Sequence, residues 1–189
     1  MTNEDRLNLL ARLAQSTPAV SRVAAKPSSI LSVAAVSYGA RPVGDATVPT
    51  GFDPIAVALF EAIVEAAFVV ATADDVFDAE ERRVFEQVVT AACGGVVAPH
   101  QIHALVSDLG DQLREDGIDR RIDMIAASVT KKDHAREVLR VAALLAYVSD
   151  DVSTVEHEVL CKIAEKCGID APEVEVALDE AKRALTGAA

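Results

Sequence analysis

Two short stretches hold the carboxylates whose type and spacing point most directly to chemistry: Asp74, Asp75, Glu80 and Glu81 in the first, Asp150, Asp151 and Glu156 in the second. Converging carboxylates suit hard divalent cations such as calcium, magnesium or manganese, which prefer several oxygen ligands. Each stretch follows an apolar helical pattern, so the aspartates fall near a helix C-terminus, where the macrodipole disfavours negative charge by a few tenths to about 1 kcal/mol. A bound cation would offset that cost. The glutamates have a second explanation: Asp78-x-x-Glu81 and Ser153-x-x-Glu156 have capping-box spacing, which uses a glutamate to satisfy the first amides of the next helix. For the aspartates the alternative is a solvated acidic turn. Neither stretch has the D-x-[DN]-x-[DN]-G loop of an EF-hand.

Other candidate groups are sparser. His100 and His103 lie three apart on a predicted helix without a third ligand, and His157 lacks the Glu-x-x-His spacing of di-iron bundles. Cys93, Cys161 and Cys167 form no C-x-x-C pair and are expected to fill the core rather than build a zinc or redox site. No phosphate-cradling P-loop, dinucleotide-binding glycine motif or G-x-S-x-G elbow occurs, so catalysis would have to rest on carboxylates.

Both turns lie between helices. Ala, Val and Leu dominate, and no stretch alternates with period two. Thr2 or Asn3, followed by Glu4 and Asp5, caps a short helix through Ala14. Pro18, Pro27, Pro42 and Pro49 then mark 16–52 as a linker, so 1–52 is expected to be an extension and 53–189 a domain able to fold alone. Asp53 and Pro54 start a long apolar helix to Ala73; Glu61 and Glu65 within it, each costing roughly 2.5 kcal/mol in a bilayer, favour a core helix over a membrane span. Further helices are expected over 78–91, 99–115, 118–129, 133–147, 155–167 and 171–185.

Sliding the chain by 76 residues lays AAFVVATADDVFDAE, from Ala66, on AALLAYVSDDVSTVE, from Ala142, so Asp74, Asp75 and Glu80 fall on Asp150, Asp151 and Glu156. The fold expected is all-α, a bundle of about seven helices built from two helix-turn-helix repeats.

The segments ATADDVFDAEERRVF and YVSDDVSTVEHEVLCKIAEKCGID resemble the two halves of the tellurite-resistance TerB family, over residues 55 to 185. That resemblance implies a TerB-like bundle, metal ligation by Asp74, Asp75, Glu80 or Glu81, Asp150, Asp151 and Glu156, and a link to tellurite resistance and stress response. Where the family carries Gly after the first Asp of each turn, this chain has Asp75 and Asp151, which raises the charge of the turns.

The chain carries a net charge of −12, and residues 1–50 hold five basic against three acidic residues, so the negative charge is concentrated in the remainder. Such a surface repels nucleic-acid backbones and favours cations or basic protein partners. The three cysteines and the acidic start without a signal-peptide pattern point to a reducing cytoplasm. Three functions follow as expectations: a non-catalytic metal-binding structural or signalling module, a metal-free protein-interaction domain of co-chaperone type, and a carboxylate metallohydrolase.

Overall fold

A computed structural model describes residues 3–16, 29–40, 53–74, 77–148 and 151–186. Among the described residues there are nine helices and no strand: α1 (Asn3–Gln15), α2 (Ile30–Gly39), α3 (Pro54–Ala71), α4 (Ala79–Ala92), α5 (Pro99–Asp116), α6 (Ile118–Ser128), α7 (Lys132–Leu145), α8 (Thr154–Lys166) and α9 (Ala171–Thr186). The seven from Pro54 onward lie close to their expected bounds.

Helix α3 is the axis of the core. Asp53 caps it by accepting from the Ile55 amide at 2.9 Å, Pro54 supplies the preset first turn, and its side chains are buried almost continuously from Val57 to Val70. Helices α2, α5, α6, α7 and α8 pack around it, with α7 making the largest of these interfaces. Among the described residues α3 is the one helix long and apolar enough to cross a membrane, and 67% of it is buried inside the protein. Its buried Glu65 explains how a charge survives there: Arg121 of α6 donates to Glu65 Oε1 at 2.5 Å and to Asp116 Oδ2 at 2.9 Å. Burial raises the Glu65 carboxyl above its usual range, and the Arg121 contacts pull against it.

The extension departs from the linker expected over 16–52. Ser29 caps α2 by accepting from the Ser32 amide, and Leu31, Ala34, Ala35 and Tyr38 enter the same apolar cluster as α3–α9. Tyr38 stacks on Phe60 of α3 with ring centroids 4.5 Å apart. At the end of α2, a Cβ added to Gly39 would lie 2.0 Å from the Val96 carbonyl oxygen, so only glycine admits this approach. Helix α1 adds Leu10 and Ala14 to the core, and it is fastened to α7 by Arg140, whose Nη1 and Nη2 donate to the Leu13 and Ala14 carbonyls at 3.0 Å. Arg140 also pairs with the buried Glu137, which accepts from the Leu31 amide of α2 at 3.3 Å. One ion pair on α7 thereby holds the end of α1 and the start of α2.

Candidate functional site: two acidic turns

The first turn leaves α3 at Thr72 and enters α4 through a capping box. Asp78 Oδ1 accepts from the Glu80 and Glu81 amides at 2.8 and 2.9 Å, and Glu81 Oε2 accepts from the Asp78 amide at 3.0 Å. The second turn leaves α7 at Ala146 and enters α8 the same way, with Ser153 Oγ accepting from the Glu156 amide at 3.2 Å and Glu156 Oε2 from the Ser153 amide at 2.7 Å. Both glutamates therefore satisfy helix-start amides, as the spacing anticipated.

Phe77 fixes the first turn to the core, since it meets Phe68 edge-on at 5.5 Å and Phe85 at 6.1 Å. The second turn is tied instead by Arg6 of α1, which donates to the Tyr147 carbonyl at 2.8 Å. Between the turns lies a cavity of about 130 Å³ lined by Phe77, Phe85, Leu145 and Val148, with Glu80 and Glu81 on its wall.

The seven candidate ligands are distributed unevenly. Asp74 and Asp151 are exposed at the two turns, and Asp75 and Asp150 lie outside the described residues. Glu80 is exposed and paired with Arg83, whose Nε donates to Oε2 at 2.9 Å; that hydrogen bond holds the carboxyl below its usual range. Glu156 differs from both first-turn glutamates in being buried, with 4% of its surface exposed. Its carboxyl is raised above the usual range first by burial, against the Ser153 hydrogen bonds that lower it, and further by the negative fields of Asp74 and Glu81. Glu80 and Glu81 beside the first turn and Val148 of the second line one cavity, so the two turns are neighbours in space. Among the described residues, no three His, Cys, Asp or Glu side chains come together as a group able to hold a metal ion.

His100 and His103 are exposed, and His103 faces Glu86, with Nδ1 3.1 Å from Oε2. Cys93 is buried, whereas Cys161 and Cys167 are half-buried. Sequence reasoning missed the two buried ion pairs, Glu65–Arg121 and Glu137–Arg140. The second had a local signal in its i,i+3 spacing, while the first joins residues 56 apart and had none.

The chain matches no protein-family model, no curated protein and no solved structure.

Proposed function

We propose that the chain is a non-catalytic helical module that holds a divalent cation where its two acidic turns face each other, in the manner the TerB resemblance implies. The observation that carries this reading is the cavity shared by the two turns, lined by Glu80 and Glu81 beside the first and by Val148 in the second, with the buried Glu156 raised in part by the negative fields of Asp74 and Glu81. Like charges gathered where two helices end and the next two begin repel, and a calcium, magnesium or manganese ion would relieve that repulsion. Of the seven candidates, Glu80 is the least suited, because Arg83 already occupies it. Glu81 and Glu156 each spend one oxygen on a cap, which leaves Oε1 for a cation. A role in stress response or tellurite resistance would follow from the resemblance.

The test is thermal unfolding with chelator and with millimolar calcium, magnesium or manganese, on wild type and on Asp74→Asn/Asp150→Asn. The double variant is expected to match or exceed wild type without metal and to lose the stabilisation that metal gives. A cation at about 100 times its Kd contributes roughly 2.7 kcal/mol, ample for a melting curve. Absence of any metal-dependent shift in wild type sinks the reading.

A metal-free interaction module is the second reading. It is favoured by the lack of a three-ligand group among the described residues and by the apolar cavity with acidic walls, which suits an apolar side chain from a basic partner.

A further inference from the structure

Helix α1 packs mainly on α4, α7 and α9, and its polar contacts reach residues far along the chain. Arg140 of α7 donates from Nη1 and Nη2 to the Leu13 and Ala14 carbonyls at 3.0 Å, so one guanidinium satisfies two of the carbonyls that the last turn of a helix leaves open. Beside it, Gln15 Nε2 donates to the Ala91 carbonyl of α4 at 2.6 Å, and nearer the start of α1, Arg6 donates to the Tyr147 carbonyl at the end of α7 at 2.8 Å. Leu10 and Ala14 enter the core between these anchors. The receiving side is prepared by α4 and α7, because Arg140 is set by the buried Glu137 on its own helix. We propose that this face is a helix-docking groove, that α1 fills it as a displaceable strap, and that its partner is an amphipathic helix supplied by a separate, basic protein.

Helix α2, next in the chain, has its own anchors in the Ser29 cap, the Tyr38–Phe60 stack and the approach of Gly39 to Val96, so its position does not depend on α1. Residues 17–28 join the two helices; at about 3.3 Å per residue they can span up to roughly 40 Å, enough for α1 to leave the groove while it stays attached. The fit of α1 is also incomplete. An open cavity of about 460 Å³ runs along its seam with α4, between Asn8, Ala11 and Gln15 on one side and Ala91 on the other. A helix with longer side chains along that edge would bury more surface than α1 does. Charge selects between occupants. Glu4 and Asp5 balance Arg6 and Arg12, so displacing the neutral α1 leaves the acidity of the remainder unchanged in a chain of net charge −12, which attracts a basic protein and repels a second copy. A second copy's α1 would make only the same contacts, without the high effective concentration that tethering gives the resident helix. The groove therefore fits a helix with a basic residue, a leucine four residues on and a small residue four further, matching Arg6, Leu10 and Ala14, with open carbonyls in its last turn for Arg140.

The test uses the full chain and, as probe, a fluorescently labelled peptide of residues 1–16, with binding read by anisotropy. Leu10→Asp in the chain puts a charge where a buried leucine docks and so vacates the groove; this variant is expected to bind the peptide about tenfold or more tighter than wild type, whose own helix competes from within the chain. A peptide that itself carries Leu10→Asp should bind neither chain. Equal affinity of the unaltered peptide for both chains, or no binding by a folded Leu10→Asp chain, overturns the proposal. If the variant does not fold, amide exchange in wild type decides: α1 should exchange as a unit about tenfold or more faster than α7, and a common rate for the two helices overturns displacement. Sedimentation of wild type settles the occupant. A monomer is expected, whereas a dimer that added peptide dissociates would give the groove to a second copy and overturn the assignment to a separate partner.

Discussion

The two acidic turns share a sequence pattern but not an environment. Matching identical letters pairs Glu80 with Glu156, 76 residues apart, whereas the capping boxes pair Glu81 with Glu156, 75 apart. The position three residues into the helix, not the aligned letter, decides which glutamate caps. The first turn is held by an aromatic trio and keeps its glutamates near water; the second buries Glu156 and leans on α1 through Arg6. A repeated motif therefore fixes the helix start twice, while tertiary packing decides where the charge is costly.

The sharpest test of this contrast is removal of residues 1–52, which strips Leu10, Ala14, Leu31, Ala34, Ala35 and Tyr38 from the core. At about 1.5–3 kcal/mol for each large apolar side chain, before the ordering entropy is subtracted, a loss on the order of 5 kcal/mol is expected. Denaturant unfolding would measure it, and amide exchange should rise first near Tyr147, where Arg6 is lost. Unchanged stability would mean that 53–189 folds alone and that the second turn needs no support from α1.

Next in size, Arg140→Met removes the donors to Leu13 and Ala14 and leaves Glu137 buried without its cation, which should cost about 3–5 kcal/mol by denaturant unfolding. Glu156→Ala leaves the Ser153 amide unsatisfied at a protected site and should cost about 1–3 kcal/mol, against less than about 1 kcal/mol for Glu81→Ala at its half-buried counterpart. Equal losses would erase the asymmetry between the turns.

The smallest effect concerns pH. Burial, with Asp74 and Glu81 behind it, raises the folded-state pKa of Glu156 above its ordinary value of 4.5. The folded protein then binds the extra proton, so this group's contribution is full below 4.5 and is lost as pH rises through the folded value. Glu156→Gln keeps a capping acceptor without the charge. In metal-free buffer it should gain on wild type as pH rises from 4.5 towards 7. A constant difference across that window would contradict the burial of this carboxylate.

Much of this was legible in the sequence. Asp53-Pro54 marked the start of α3, and the capping spacings at Asp78 and Ser153 held as read. Helix α2 was not, although Leu31, Ala34, Ala35 and Tyr38 carry helical spacing and Ser29 stands in cap position. Its outer face is also apolar, with Val33 and Val36 more than half exposed, so no polar stripe separated it from the proline-rich stretches around it. The proximity of the two turns depends on how α3 packs on α7, and no single stretch of sequence encodes that.

The most direct measurement of the central claim is equilibrium dialysis of the full chain against manganese, with metal counted per chain in wild type and in Asp74→Asn/Asp150→Asn. The account predicts one ion bound per wild-type chain, displaced by excess chelator, and none retained by the double variant. No bound ion in wild type, or equal retention by the variant, would contradict it and leave the acidic turns as solvated helix connections.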